Sequence, residues 1–322
     1  MCAVSAAPAV RAVEQPALSF SRHELAGAFG DLGTDLPLLV GVVLATGMDA
    51  PAVFVTFGVL QILSGLAYRL PMPVQPLKAM AAIAIAGKIA PPLLAAGGLI
   101  VGVTMLVLAN SGALEWMART VPKAVVRGIQ VGLGLQLLML AVTRFLPSGG
   151  WLGWALAAAA VAIVVGFRHN RLVPPGLLVL ALGLAVAAVT WPADLPGPWG
   201  FHLPSLPTRW PTTQEFGRAA LLLALPQIAL SLGNSVLATR QVVTDFFPDR
   251  EPLSVRRIGT TYGLMNLLAA PVGGLPICHG SGGIVGHYVF GARTGGSAVI
   301  YGITLVLALS LIHISEPTRL RR

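Results

Sequence analysis

Long apolar runs, interrupted at intervals by short polar stretches, dominate this chain. The runs are about 17 to 25 residues long, the length a helix needs to cross the hydrocarbon of a bilayer, and they lack the two-residue alternation of a membrane barrel. Helical spans are predicted near 24–46, 51–70, 74–90, 92–110, 124–143, 151–168 and 174–191, followed by a Pro- and Trp-rich loop, and then near 217–239, 258–274, 277–291 and 296–312. That makes eleven. The expected organisation is a lead at 1–23, a first repeat at 24–191, a loop at 192–216, an incomplete second repeat at 217–308 and a tail at 309–322.

Two of the eleven runs are broken where they begin. "PMPVQPLKAM", residues 71–80, sets Pro71, Pro73 and Pro76 ahead of Lys78, and "GGLPICHGSGG", residues 273–283, sets Pro276 ahead of a Gly-Ser-Gly-Gly string. Proline bars helix upstream and removes donors, so a helix restarting after either stretch directs free N–H groups at whatever lies before it. Unwound backbone at membrane depth is tolerated only inside protein or beside a wet cavity.

The two halves echo each other. Leu32-Gly33-Thr34 and Leu232-Gly233-Asn234 stand 200 residues apart, and Pro73 and Pro276 stand 203 apart. An odd number of spans per half inverts the second across the membrane, and broken segments at matching positions of inverted halves point to a carrier's central site. The expected fold is an all-α polytopic membrane protein, an inverted-repeat (7+7-type) transporter with helices 3 and 10 broken, ending after about span 11.

Composition agrees and narrows the function. Of 322 residues 55% are hydrophobic and 10% charged, with a mean hydropathy of +0.80, too apolar for a soluble core. Net charge is +9, yet the basic residues sit singly in loops without the aromatic-interleaved stripe that tracks a phosphate backbone, which argues against nucleic acid. Their distribution orients the chain. Arg11, Arg22, Arg69, Arg119, Lys123, Arg127, Arg168, Arg171, Arg240, Arg250, Arg256, Arg257 and Arg293 fall on the side of the N-terminus, against Lys88, Arg144, Arg209 and Arg218 on the other. The N-terminus is therefore expected in the cytosol, with a bacterial inner membrane the expected setting and no cleaved leader. The stretches Glu115–Arg127 and Arg240–Arg257 are expected as amphipathic surface helices.

Charge also suggests a ligand. Each helix N-terminus is worth about half a positive charge, so two of them with Lys78 give roughly two positive equivalents, suited to a tetrahedral dianion. Gln75, Thr34, Asn234 and Ser281 offer neutral donors, Ser281 also as a helix cap, and Gly280, Gly282 and Gly283 let backbone approach closely. Blander roles compete: Lys78 can snorkel, prolines and glycines can serve packing, and Gln227 can make a helix–helix bond as readily as a ligand contact. Asp31 and Asp35, four apart on one face, can relay protons, balance Lys78 or hold the unwound chain. Cys278, His279 and His287 lack a fourth metal ligand, so His279 is expected as a cavity wall. No cofactor is implied, nor any enzyme motif: no paired-histidine site, phosphate loop or nucleophile elbow.

The strings "GAFGDLGTDLPLLVG", "PMPVQPLKAMAAIAIAGK", "LPQIALSLGNSVLAT" and "LPICHGSGGIVGHYVFGARTGG" resemble the molybdate transporter family of plants, algae and bacteria, relatives of the sulfate permeases, over residues 24 to 304. The resemblance implies a seven-plus-seven architecture in which a core of spans one to four and eight to eleven carries substrate against a gate. It implies molybdate import by alternating access, with a sulfate permease-like or other anion carrier as the alternative, and it leaves a homodimer open. Carried over, Gln75, Pro76 and Lys78 line the site from segment three, and His279, Gly280, Ser281, Gly282 and Gly283 from segment ten. Asp31, Thr34, Gln227 and Asn234 close it from segments one and eight, with Asp31 and Asp35 the coupling candidates. The tail "LSLIHISEPTR", residues 309–319, resembles a translated sequencing adapter; the gate's second half is expected to be missing and the chain as it stands to transport poorly.

Overall fold

A computed structural model describes residues 18–167, 170, 175–190 and 203–309. The tail from residue 310, the lead up to residue 17 and the first part of the predicted 192–216 loop lie outside the described residues, as do Arg168 and Arg171.

Helices occupy every predicted span. The first is a bent pair, α1 (Arg22–Ala28) and α2 (Leu32–Thr46), meeting at 41°. Next come α3 (Ala50–Tyr68), strand β1 (Gln75–Pro76), α4 (Lys78–Gly87) and α5 (Pro91–Asn110). A short α6 (Ala113–Thr120) leads into α7 (Lys123–Leu140), α8 (Gly150–Phe167) and α9 (Pro175–Thr190). The second half holds α10 (Thr213–Phe246), α11 (Val255–Ala269), strand β2 (Ile277–Cys278), α12 (Ser281–Val289) and α13 (Gly296–Leu309). Four of these helices, or five if the bent pair is one span, are long and apolar enough to cross a bilayer. The chain is an integral membrane protein.

One expectation changes. The stretch Arg240–Arg257 is not a separate surface helix, because α10 runs on through Arg240 to Phe246. There Asp245 pairs with Arg127 at 2.7 Å and Arg240 reaches Glu115 at 3.9 Å. Helix α10 is also wound more widely at 220–224 and 231–238, where it becomes π-helical. Pro226 explains the first stretch: without an N–H it leaves a carbonyl one turn earlier unpaired, and the helix widens around the defect.

The core is not shared evenly. Among the described residues, buried apolar side chains come from Ala26 to Leu114 and from Ala219 to Leu305. Helix α8 buries nothing and α9 only Gly176, which sits against Phe290, so neither adds an apolar side chain to the core. Within the body small residues bring helices together. A Cβ on Gly58 would sit 2.6 Å from the Gly302 carbonyl, and one on Gly263 2.7 Å from that of Gly102, which is the close backbone approach that membrane helices use in place of a hydrophobic drive.

Candidate functional site

The two broken segments meet at the centre of this body. Residues 70–77 and 274–281 are buried throughout, so both unwound stretches lie inside protein rather than against lipid. They pair antiparallel, Gln75 with Cys278 and Pro76 with Ile277, and the Leu77 amide donates to the Pro276 carbonyl at 3.0 Å. This ladder fixes the starts of α4 and α12 against each other, with Gln75 packed on Gly280 so closely that any side chain there would overlap it.

Neighbouring helices supply the partners that lipid cannot. From α3, Gln61 Oε1 accepts from the Val74 amide and Ser64 Oγ donates to the Met72 carbonyl at 2.9 Å. From α11, Asn266 grips one residue of segment ten twice, accepting from the Ile277 amide at 3.0 Å and donating to its carbonyl at 2.7 Å. Gln61, Ser64 and Asn266 escaped the sequence reading. A lone amide or hydroxyl in an apolar span is the signal that could have found them, because a buried polar group needs a partner.

Each predicted site residue has a definite place. Helix α4 starts at Lys78, whose Nζ donates to Gln75 Oε1 at 3.3 Å, while Gln75 Nε2 donates to Asp31 Oδ2. Thr34 Oγ1 donates to Asp31 Oδ1, so Asp31 is bound on both oxygens. Gln227 reaches in from α10 and its Oε1 accepts from the first-turn amides of Ala79 and Met80 at 3.1 and 3.2 Å. Its Nε2 is held by Ser231, which is bonded in turn to the Tyr262 hydroxyl at 2.6 Å. Gln227 is therefore the cap of half-helix α4, more specific than the generic helix–helix bond the sequence allowed.

Segment ten departs further from expectation. Ser281 is not a cap: Gly280 holds the extended N-cap position, and Ser281 Oγ donates to Asn234 Oδ1 at 2.7 Å. His279 is no free cavity wall either. Its Nδ1 faces the Pro73 carbonyl and its Nε2 the Thr261 hydroxyl, both at 2.9 Å, with the Tyr68 ring edge-on. A carbonyl only accepts, so Nδ1 carries the proton and the ring ties the two unwound stretches together. A Cβ on Gly283 would collide with both Asp31 Oδ2 and Pro73, so the absence of a side chain lets both pack against the start of α12. Gly282 is partly exposed beside it.

The charge balance is lower than Lys78 and two helix ends imply. Asp31 belongs to the same network and offsets one unit. With Asp35 neutral the cluster carries about one positive equivalent, and with Asp35 ionised about none. A separate cavity of about 490 Å³ opens elsewhere, between Asp49, Pro91, Pro271 and the strap 205–211 with Arg209. Its cation is engaged: Arg209 makes two 2.8 Å bonds to Glu215.

A profile described as "Molybdate transporter of MFS superfamily" matches residues 23–137 and 219–319, the two stretches that contain the packed body. The chain belongs to the molybdate transporter family. It is 34% identical over 330 residues to Molybdate transporter 2 of Arabidopsis thaliana, covering 87% of this chain and 70% of that protein. It is 28% identical over 395 residues to Molybdate transporter 1 of Chlamydomonas reinhardtii, covering 87% and 75%. The fold is similar to the transmembrane domain of a cyanobacterium bicarbonate transporter, BicA, with a TM-score of 0.59 at 19% identity over 90% of this chain and 85% of that one. The relatives are transporters, and the chain is not an enzyme.

Proposed function

We propose that this protein carries molybdate across the membrane by alternating access, taking the oxyanion between the starts of α4 and α12 beside Lys78. The observation that carries the reading is the head-to-head approach of two half-helices on a buried two-residue ladder, with one ammonium at the junction. Helix N-termini favour anions, and a site built mostly of neutral donors releases its ligand again. Membership of the family selects molybdate among tetrahedral dianions. In this reading the packed body moves the substrate, α7 to α9 belong to the element it moves against, and the N-terminus lies in the cytosol.

The test is uptake of labelled molybdate by the full-length protein in vesicles, competed by sulfate. Saturable uptake that molybdate blocks better than sulfate, and that Lys78→Ala removes, is expected. Sulfate competing as well as molybdate makes the protein a general oxyanion carrier, and uptake that does not saturate makes it a channel.

A further inference from the structure

Asp35 differs from Asp31, the other carboxylate at the ladder. It is fully buried, and neither carboxyl oxygen receives a hydrogen bond from an N–H or O–H of another residue. An ionised carboxylate left so in a low-dielectric interior is among the costliest arrangements a protein can hold. Asp31 lies one helical turn earlier, at the start of α2. It has two donors, from Thr34 and Gln75, which suit an anion, whereas Asp35 has none among the described residues. The other titratable groups near enough to influence Asp35 electrostatically are Lys78 from α4, Cys278 from β2 and Tyr301 from α13. Of these only Lys78 is a cation, and it is shared with Asp31 through Gln75.

We propose that Asp35 is the proton-binding site of this transporter, and that the proton it holds makes the junction of the two half-helices positive enough to accept a dianion. The inference rests on the substrate reading above. Its logic is electrostatic: losing that proton cancels the roughly one positive equivalent that the half-helices, Lys78 and Asp31 leave between them. Binding of proton and dianion is then reciprocal, each raising the affinity for the other, so that the two travel together. The proton is taken from water on the side of entry and returned to water on the side of exit. Only an O–H bond is made and broken.

The experiment is equilibrium binding of molybdate to the purified full-length protein from pH 5.5 to 8.5, with an infrared spectrum of the same samples. Wild-type affinity is expected to fall by up to about tenfold per pH unit across the range where Asp35 loses its proton. Asp35→Asn, which has the shape of the protonated acid, is expected to lose that slope and to lack a buried carboxylic-acid stretch present in the wild type. Asp35→Glu moves the acid instead of deleting it; it should shift the band and keep a slope, so a misfolded Asn variant does not hide the answer. A wild type whose affinity is flat with pH, or an Asn variant that keeps the slope, overturns the proposal. Absence of molybdate binding at every pH defeats the substrate reading instead, and the infrared band then decides the proton site alone: its loss in Asp35→Asn supports it, and its absence from the wild type ends it.

Discussion

Segments three and ten solve one problem with different chemistry. Both are buried, unwound and proline-marked, and both are clasped by an amide from a packed helix, Gln61 on Val74 in one case and Asn266 on Ile277 in the other. Beyond the ladder they diverge. Segment three restarts its helix at a lysine and has its first-turn amides capped from outside by Gln227. Segment ten restarts at Ser281 after a glycine cap, carries no charge at its helix start and turns its hydroxyl away to Asn234. In the proposed reading the difference separates two tasks: segment three would supply most of the electrostatics, and segment ten bare backbone that can come close.

That division can be broken in a graded way. Gln227→Glu puts a full negative charge at the start of α4, which suits the helix and repels an anion, so molybdate affinity should fall about a hundredfold while thermal stability holds. Lys78→Ala should produce a loss of similar size, about 3 kcal/mol in a binding isotherm, because a partly desolvated charge is removed. Asn266→Ala leaves both polar groups of Ile277 unpaired and should cost about 2 kcal/mol of unfolding free energy, against about 1 for Gln61→Ala, which frees one amide. Ser281→Ala should be the mildest, weakening binding by no more than about fivefold, since its hydroxyl already serves Asn234. If Ser281→Ala instead matches Lys78→Ala, the two segments share the load equally and the contrast fails.

Much of the frame was legible beforehand. Proline placement marked both unwound stretches, because a residue without an N–H and with a fixed φ cannot continue a helix in either setting. Apolar run length located the spans, and the isolated lysine and the Gly-Ser-Gly-Gly string pointed to the junction. What stayed hidden depended on partners far away in sequence. Gln227 caps amides 147 and 148 residues distant, and only the fold brings them together. Ser281 read as a cap because a hydroxyl next to a helix start commonly is one; the extended backbone at Gly280 shifts it one place inward and turns it toward α10. His279 read as a cavity wall, but a ring with two nitrogens in a segment short of backbone partners is used up in holding that segment. The widening of α10 could have been suspected from Pro226, though not its second stretch at 231–238, whose polar residues Ser231 and Asn234 serve the two segments.

The most direct test locates the anion. Molybdenum scatters X-rays strongly, so an anomalous map of the protein with bound molybdate places the metal without reference to side chains. One peak is expected at the junction of the two half-helices, against Lys78 and the amides that follow Gly280. A peak beside Arg209 in the cavity under the 205–211 strap, with the junction empty, would contradict the account.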